Sequence, residues 1–409
     1  MTWSLMFLTR AVLSYMGLVA LAGCWSPIAL HRAMVEYDRN IVKAESELLL
    51  LNIARLQDDD PAHFTVTANI AATFDFRANA GLQGQIFERG GTAFTRNFYA
   101  LNLGGSAAEN PTISIVPVQG EEFTRRILTP LDQNKLDFLV HEGRNLQMLL
   151  RLVTRTLELE EGEARRSLLN SPARRDEYEE FRRLILHLAW LHETRRLFLV
   201  PLRYDELVEV ALQQPPTASE VISGLAQGYR WSSGSGTNRF LLSRQVTGRM
   251  LITNVNPDRL SNAVRRRLNE DALLLPPNAV LVDILPEGPG GSYSFRGILK
   301  LRSLHEMLQF LAKGIREAPE YAVEPDPRTG PVSMNPPKTL TIGIGPSPPP
   351  TAAVATTHKN QAYWISGDAD QAEAASTWDR QAFELLYEIY QLTVTEVSRA
   401  LTPAIAISK

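Results

Sequence analysis

The sequence predicts an α+β protein: an N-terminal helix, an antiparallel sheet of about four strands, a helical middle and a mixed α/β C-terminal part. Three observations predict it. Residues 31–57 place apolar residues at helical spacing, residues 64–77 alternate apolar and polar residues, and a helical period returns after residue 120 before the two periods mix.

In the first helix Met34, Tyr37, Ile41, Ala44, Leu48 and Leu51 recur at steps of three and four. Leu49, Ile53 and Leu56 widen that stripe, and Asp58-Asp59-Asp60-Pro61 stops the helix. The next segment, FTVTANIAATFDFR, keeps Phe64, Val66, Ala68, Ile70, Ala72, Phe74 and Phe76 on one parity, the pattern of a strand. Further extended segments at 82–87, 94–103 and 112–118 are set off by Gly81, Gly84, Gly90, Gly91, Gly104 and Gly105. Helices are expected at 121–128, 131–141, 145–159, 174–198 and 204–213, with prolines and glycines between them. In the C-terminal part, strands are expected at 229–231, 239–242, 249–255, 279–284, 339–344 and 362–366. Helices are expected at 257–269, 301–316 and from 378. The proline-rich stretch 324–351 reads as a long loop or a linker arm.

These readings divide the chain into a signal peptide (1–23), an anchor and N-terminal helix (24–62), an antiparallel β region (63–119), a helical region (120–227) and a mixed α/β region (228–409).

Charged residues make up 21% of the chain and the formal net charge is -3, so there is no broad positive field for gripping nucleic acid. The run Arg265-Arg266-Arg267 is followed by Glu270 and Asp271, as on a solvated helix face. One cysteine excludes an intrachain disulfide and a four-cysteine zinc site.

That cysteine, Cys24, follows Arg10, an apolar stretch from Ala11 to Leu21, and then Leu21-Ala22-Gly23. The apolar stretch has the length of a signal-peptide core, short of the ~20 residues that span a bilayer. Leu21-Ala22-Gly23-Cys24 resembles the lipobox of bacterial lipoproteins. The resemblance implies cleavage between Gly23 and Cys24, a lipid on the Cys24 thiol and acylation of the new amine. Two or three acyl chains give stable anchoring where one is marginal. Trp25 stands where aspartate favours inner-membrane retention in enterobacterial lipoproteins, so the resemblance implies an outer-membrane anchor facing the periplasm. The body is similar to a group of predicted bacterial lipoproteins with no assigned activity, through AESELLLLNIAR at 44–55, NPTISIVPVQGEEFTRRILTPL at 110–131 and the C-terminal tryptophan-containing segment.

No catalytic motif is legible. The seven histidines form no His-Glu-x-x-His, and His187 and His192, five apart, sit about 140° apart on a helix. There is no nucleophile elbow or Walker loop, and Gly343-Ile344-Gly345-Pro346 lacks the third glycine of a dinucleotide turn. Asp58-Asp59-Asp60 reads as a helix stop, and Asp368-Ala369-Asp370 with Glu373 lacks the spacing of a calcium loop. Neither a catalytic residue nor a metal ligand is expected, nor any cofactor besides the covalent lipid on Cys24. The partners expected are the membrane, through that lipid, and an envelope protein, with no nucleic acid. Three functions follow: a non-catalytic periplasmic binding or scaffolding component, a subunit of an oligomeric outer-membrane export channel using strands in 63–119, or an envelope-polymer hydrolase drawing on Glu121, Glu122 or Asp75.

Overall fold

The computed structural model describes residues 25–85, 98–118, 120–211, 214–233, 239–367 and 373–398. The protein is a mixed α+β structure whose main sheet has seven strands among the described residues. The chain divides into two compact units, 1–62 with 119–395, and 63–118 with 396–409.

The first unit opens with α1 (Trp25–Gln57). Leu49, Leu50, Ile53 and Ala54 are its buried apolar residues. Val35 and Val42 are exposed, and Ala44, a member of the expected stripe, is also exposed. The core face is therefore the flank of that stripe. Leu48 to Leu51 are apolar on every side, so spacing alone does not choose between them.

Next come α2 (Glu121–Leu128), α3 (Gln133–His141) and α4 (Leu146–Val153). Asp132 caps α3 by accepting from the Asn134 and Lys135 amides. The helix expected to run to residue 159 ends at Val153, and β3 (Thr154–Glu161) turns at Gly162 into β4 (Ala164–Leu169). Gly162 has a φ of 66°, which the turn between Glu161 and Ala164 requires. In TRTLELEE the buried Leu157 and Leu159 alternate with Glu158 and Glu160, the period of a strand, although Leu157 also falls four residues after Val153 and so continues the helical spacing of α4. After α5 (Arg175–Glu193), the helix expected at 204–213 is also a strand, β5 (Phe198–Ala211), with Val208 and Val210 in an alternating run.

The remaining elements of the sheet are α6 (Ala218–Ala226), β6 (Tyr229–Ser233), β7 (Arg239–Thr253), α7 (Asn262–Leu273), β8 (Ala279–Ile284), β9 (Phe295–Leu301) and α8 (Leu304–Arg316). The two strands expected at 239–242 and 249–255 are one. Strand order is β4-β3-β9-β8-β7-β5, with β6 pairing the outer stretch of β7. Among the described residues only β7 and β8 run parallel. All six residues of β8 are buried, Asp283 among them, so its apolar run Ala279–Val282 reflects cover on both faces. On one face Leu268 of α7 packs with Leu202, Leu251, Leu281 and Ile298. A small sheet of β10 (Gly343–Gly345), β12 (Gln361–Ser366) and β11 (Ala352–His358) follows, then α9 (Glu373–Ser398).

Among its described residues the second unit is a ribbon of two strands, β1 (Phe64–Gln85, written βA) and β2 (Phe98–Val118, written βB), where about four were expected. Four of the six glycines read as breaks lie inside the ladder: Gly81 faces Asn102, Gly84 faces Tyr99, and Gly104 and Gly105 face Asn79 and Ala78, while Gly90 and Gly91 lie outside the described residues. A glycine opposite a non-glycine keeps the pairing while removing a side chain, so it need not end a strand. The register shifts once, between Thr67 and Asn69, leaving Ala68 as an extra residue.

Candidate functional site

Cys24 and Gly23 lie outside the described residues, and α1 begins at the next residue, Trp25. Asp368-Ala369-Asp370 also lies outside them.

Glu122, Asp58 and Asp60, considered above, are each engaged by neighbouring cationic side chains. Glu122 is exposed and accepts from Arg126 Nε at 2.8 Å and from Arg125, and these hydrogen bonds, aided by the two charges, hold its carboxyl below the usual range. A general acid needs the opposite shift. Asp58 and Asp60 bind the β11–β12 turn: His358 Nε2 is 3.1 Å from Asp60 and Lys359 Nζ is 2.7 Å from it. No group of three or more His, Cys, Asp or Glu side chains among the described residues is placed to hold a metal ion.

His187 is fully buried, its Nδ1 3.1 Å from Thr329 Oγ1 and its Nε2 3.1 Å from the Gly290 carbonyl. Burial pushes its pKa down to about 4, so the neutral ring donates from Nε2 to Gly290 and accepts from Thr329. It ties the 286–291 turn and the 326–330 turn to α5.

The densest polar cluster was not anticipated from the sequence. Glu320 is buried and accepts from Arg151 Nη2 at 3.1 Å, Tyr178 Oη at 2.8 Å, Thr339 Oγ1 at 2.9 Å and the Thr339 amide at 2.6 Å. Burial opposes its charge, but the Arg151 and Arg182 guanidiniums and these donors outweigh it and hold the carboxyl below its ordinary value. Arg151 also donates to the Pro336 and Pro337 carbonyls, and Arg182 to Asn335. The stretch 324–351 is therefore no linker arm. Its prolines lack N–H groups and make no ladder, but their carbonyls accept from buried arginines. With four hydrogen-bond donors directed at its carboxylate, Glu320 acts as a structural anchor. One signal was readable: Arg151 interrupts a helix, LQMLLRLV, that is apolar but for it and Gln147 and all of whose residues are buried.

Arg302 is also buried and donates to the Arg151, Leu152 and Asn170 carbonyls, so it caps the C-terminal end of α4. Desolvation lowers its pKa to about 9. It lies at the floor of a cleft of about 340 Å³ lined also by Arg155, Glu306 and Lys313. Arg155 and Glu306 are already paired at 2.9 Å. Neither these groups nor the Glu320 cluster forms a nucleophile–base pair.

No protein family, no curated protein and no solved structure matches this chain.

Proposed function

We propose that this protein is a lipid-anchored component of the bacterial cell envelope, held by acyl chains on Cys24, facing the periplasm from the outer membrane and binding or scaffolding an envelope protein without catalysis. The lipobox motivates the anchor, and α1 is the observation that carries the reading. This helix starts one residue after Cys24 and has 33 residues, about 50 Å of rise. Its side chains from Val35 to Ala44 are mostly exposed, and apolar burial begins at Leu49. Such a helix suits a spacer between a membrane surface and a folded body. Growth with labelled palmitate tests the anchor: the unchanged chain takes up label and Cys24→Ser does not. Label retained by Cys24→Ser overturns it.

A second reading, a subunit of an oligomeric outer-membrane export channel, is favoured by the ribbon. All 21 residues of βB pair with βA, while among the described residues each strand keeps an edge with no partner in this sheet. Two strands alone are marginal in water. Sizing of a lipid-free Cys24→Ala chain tests it: assembly that needs detergent supports a channel, and a monomer soluble without detergent removes it.

A further inference from the structure

The register of the ribbon sorts its residues into two sets that sequence alternation alone leaves mixed. Beyond the extra residue at Ala68, even positions of βA face odd positions of βB. One set pairs Phe76 with Ala107, Ala78 with Gly105, Ala80 with Leu103, Leu82 with Leu101 and Gly84 with Tyr99. The alternate set pairs Asp75 with Ala108, Arg77 with Ser106, Asn79 with Gly104, Gly81 with Asn102 and Gln83 with Ala100. Paired residues share a face of a sheet, so one face is apolar or glycine and the other polar or small.

We propose that this ribbon crosses a lipid bilayer as one hairpin of a β-barrel closed by further copies of this chain, with the Phe76–Gly84 and Tyr99–Ala107 apolar set toward lipid. The proposal rests on the channel reading above, and it adds the surface each face meets and the partner at each edge.

The dimensions fit. Positions 76–84 are about nine residues, close to the ~9–11 that a tilted membrane strand uses. At about 3.3 Å per residue and a tilt near 40°, they cover about 23 Å of height, close to the ~25 Å apolar band of outer-membrane barrels. Aromatic residues bracket the band, Phe74 and Phe76 at one end and Tyr99 at the other, as in the girdles of such barrels. Glu109, the acidic member of the apolar set, faces Phe74 and so falls just outside the band. Asp75 and Arg77 belong to the polar set, which a barrel turns to its aqueous interior.

The edges name the partner. Inside hydrocarbon an unpaired N–H or C=O costs several kcal/mol, so a two-stranded ribbon crosses only if its edges are taken up. Identical ribbons side by side do this, and the smallest barrels of about eight strands would take four copies.

The experiment uses the full-length chain in vesicles of phosphatidylethanolamine and phosphatidylglycerol, with single cysteines carrying an environment-sensitive fluorophore. Ala78→Cys, Ala80→Cys and Leu82→Cys report the apolar set; Thr73→Cys, Asn79→Cys and Gln83→Cys report the other. The expected result is at least twofold quenching by nitroxide-bearing lipids at the first three positions and little at the last three. Unheated gels of the same samples should show a ladder of copies. Equal quenching of both sets overturns the proposal. So does an apolar set that is shielded from water but not quenched by lipid. A ladder without lipid quenching overturns the membrane assignment while leaving assembly intact; loss of both removes the channel reading as well. The unchanged chain labels only if Cys24 is free, so failure of the anchor is read separately.

Discussion

Arg151 and Glu320 meet at 3.1 Å with side chains 0% and 5% exposed, 169 residues apart in the chain. Their contact fastens the coil after α8 to α4. Arg182 lies 4.0 Å from the same carboxylate oxygen, so one carboxylate balances two buried guanidiniums. Removing one member of such a cluster costs about 3–5 kcal/mol, because the remaining charges stay buried. Glu320→Gln should therefore lower the unfolding free energy by about that amount in denaturant titrations. Replacing Arg151, Arg182 and Glu320 together with apolar residues should cost less than Glu320→Gln alone. A Glu320→Gln chain within 1 kcal/mol of the unchanged one would show that the cluster does not hold the coil.

His187 gives stability a defined pH dependence. Its folded pKa, about 4, lies below the ordinary value of 6.5. Between these values the unfolded chain binds the proton and the folded chain resists it. The contribution is intact above pH 6.5, declines as pH falls, and is lost by about pH 4, a change of at most about 3 kcal/mol. His192 and His305 are also lowered by burial, so the measurement is a difference. The stability gap between the unchanged chain and His187→Gln should narrow from pH 7 to pH 4. A gap constant across that range would rule out titration of His187 as its source.

The elements legible in the sequence were those with one dominant period and a local stop. α8 shows this: its apolar stripe is preceded by Ser303 and Glu306, which form the reciprocal cap seen in the structure. β3 and β5 were hidden because Leu157 continues the helical stripe of Leu150 and Val153, and Leu207 and Val210 stand three apart, spacings that fit a helix until a partner strand is known. βB looked irregular for a different reason. Its apolar residues change parity between Ile113 and Val116, and the extra residue at Ala68 in βA makes the matching shift in pairing. Only the register shows that the two strands agree. The Glu320 cluster joins three distant segments, and no local spacing announces such a meeting.

Two glycines separate close packing from mere flexibility. A Cβ on Gly291 would sit 2.1 Å from the Pro286 carbonyl oxygen, and the next nearest atoms are also backbone. Gly291→Ala must move the turn that receives His187, at a cost of about 1–3 kcal/mol. A Cβ on Gly314, within α8, meets nothing within 4 Å. Gly314→Ala should raise stability by about 0.5–1 kcal/mol through helix propensity alone. Thermal melts of the two variants should therefore move in opposite directions.

Asn262 closes part of an open sheet edge. Strand β5 ends the seven-stranded order, so its outer side lacks a neighbouring strand in that sheet. At Asp205 the Asn262 side chain takes that neighbour's place: its Oδ1 accepts from the Asp205 amide at 2.6 Å and its Nδ2 donates to the Asp205 carbonyl at 2.8 Å. The amide thus makes the pair of bonds a partner residue would make, and it is held there because Asn262 opens α7 beside β5. An uncovered edge is a template for pairing with another chain. Asn262→Ala should cost about 1–3 kcal/mol for the backbone groups left without partners. It should also raise concentration-dependent association, measured by sedimentation of the Cys24→Ala chain in detergent. Asn262→Asp separates the two bonds, since a carboxylate still accepts from the Asp205 amide but no longer donates to its carbonyl. Its association should fall between those of the unchanged chain and Asn262→Ala, and identical sedimentation of all three would mean that the side chain does not guard the edge.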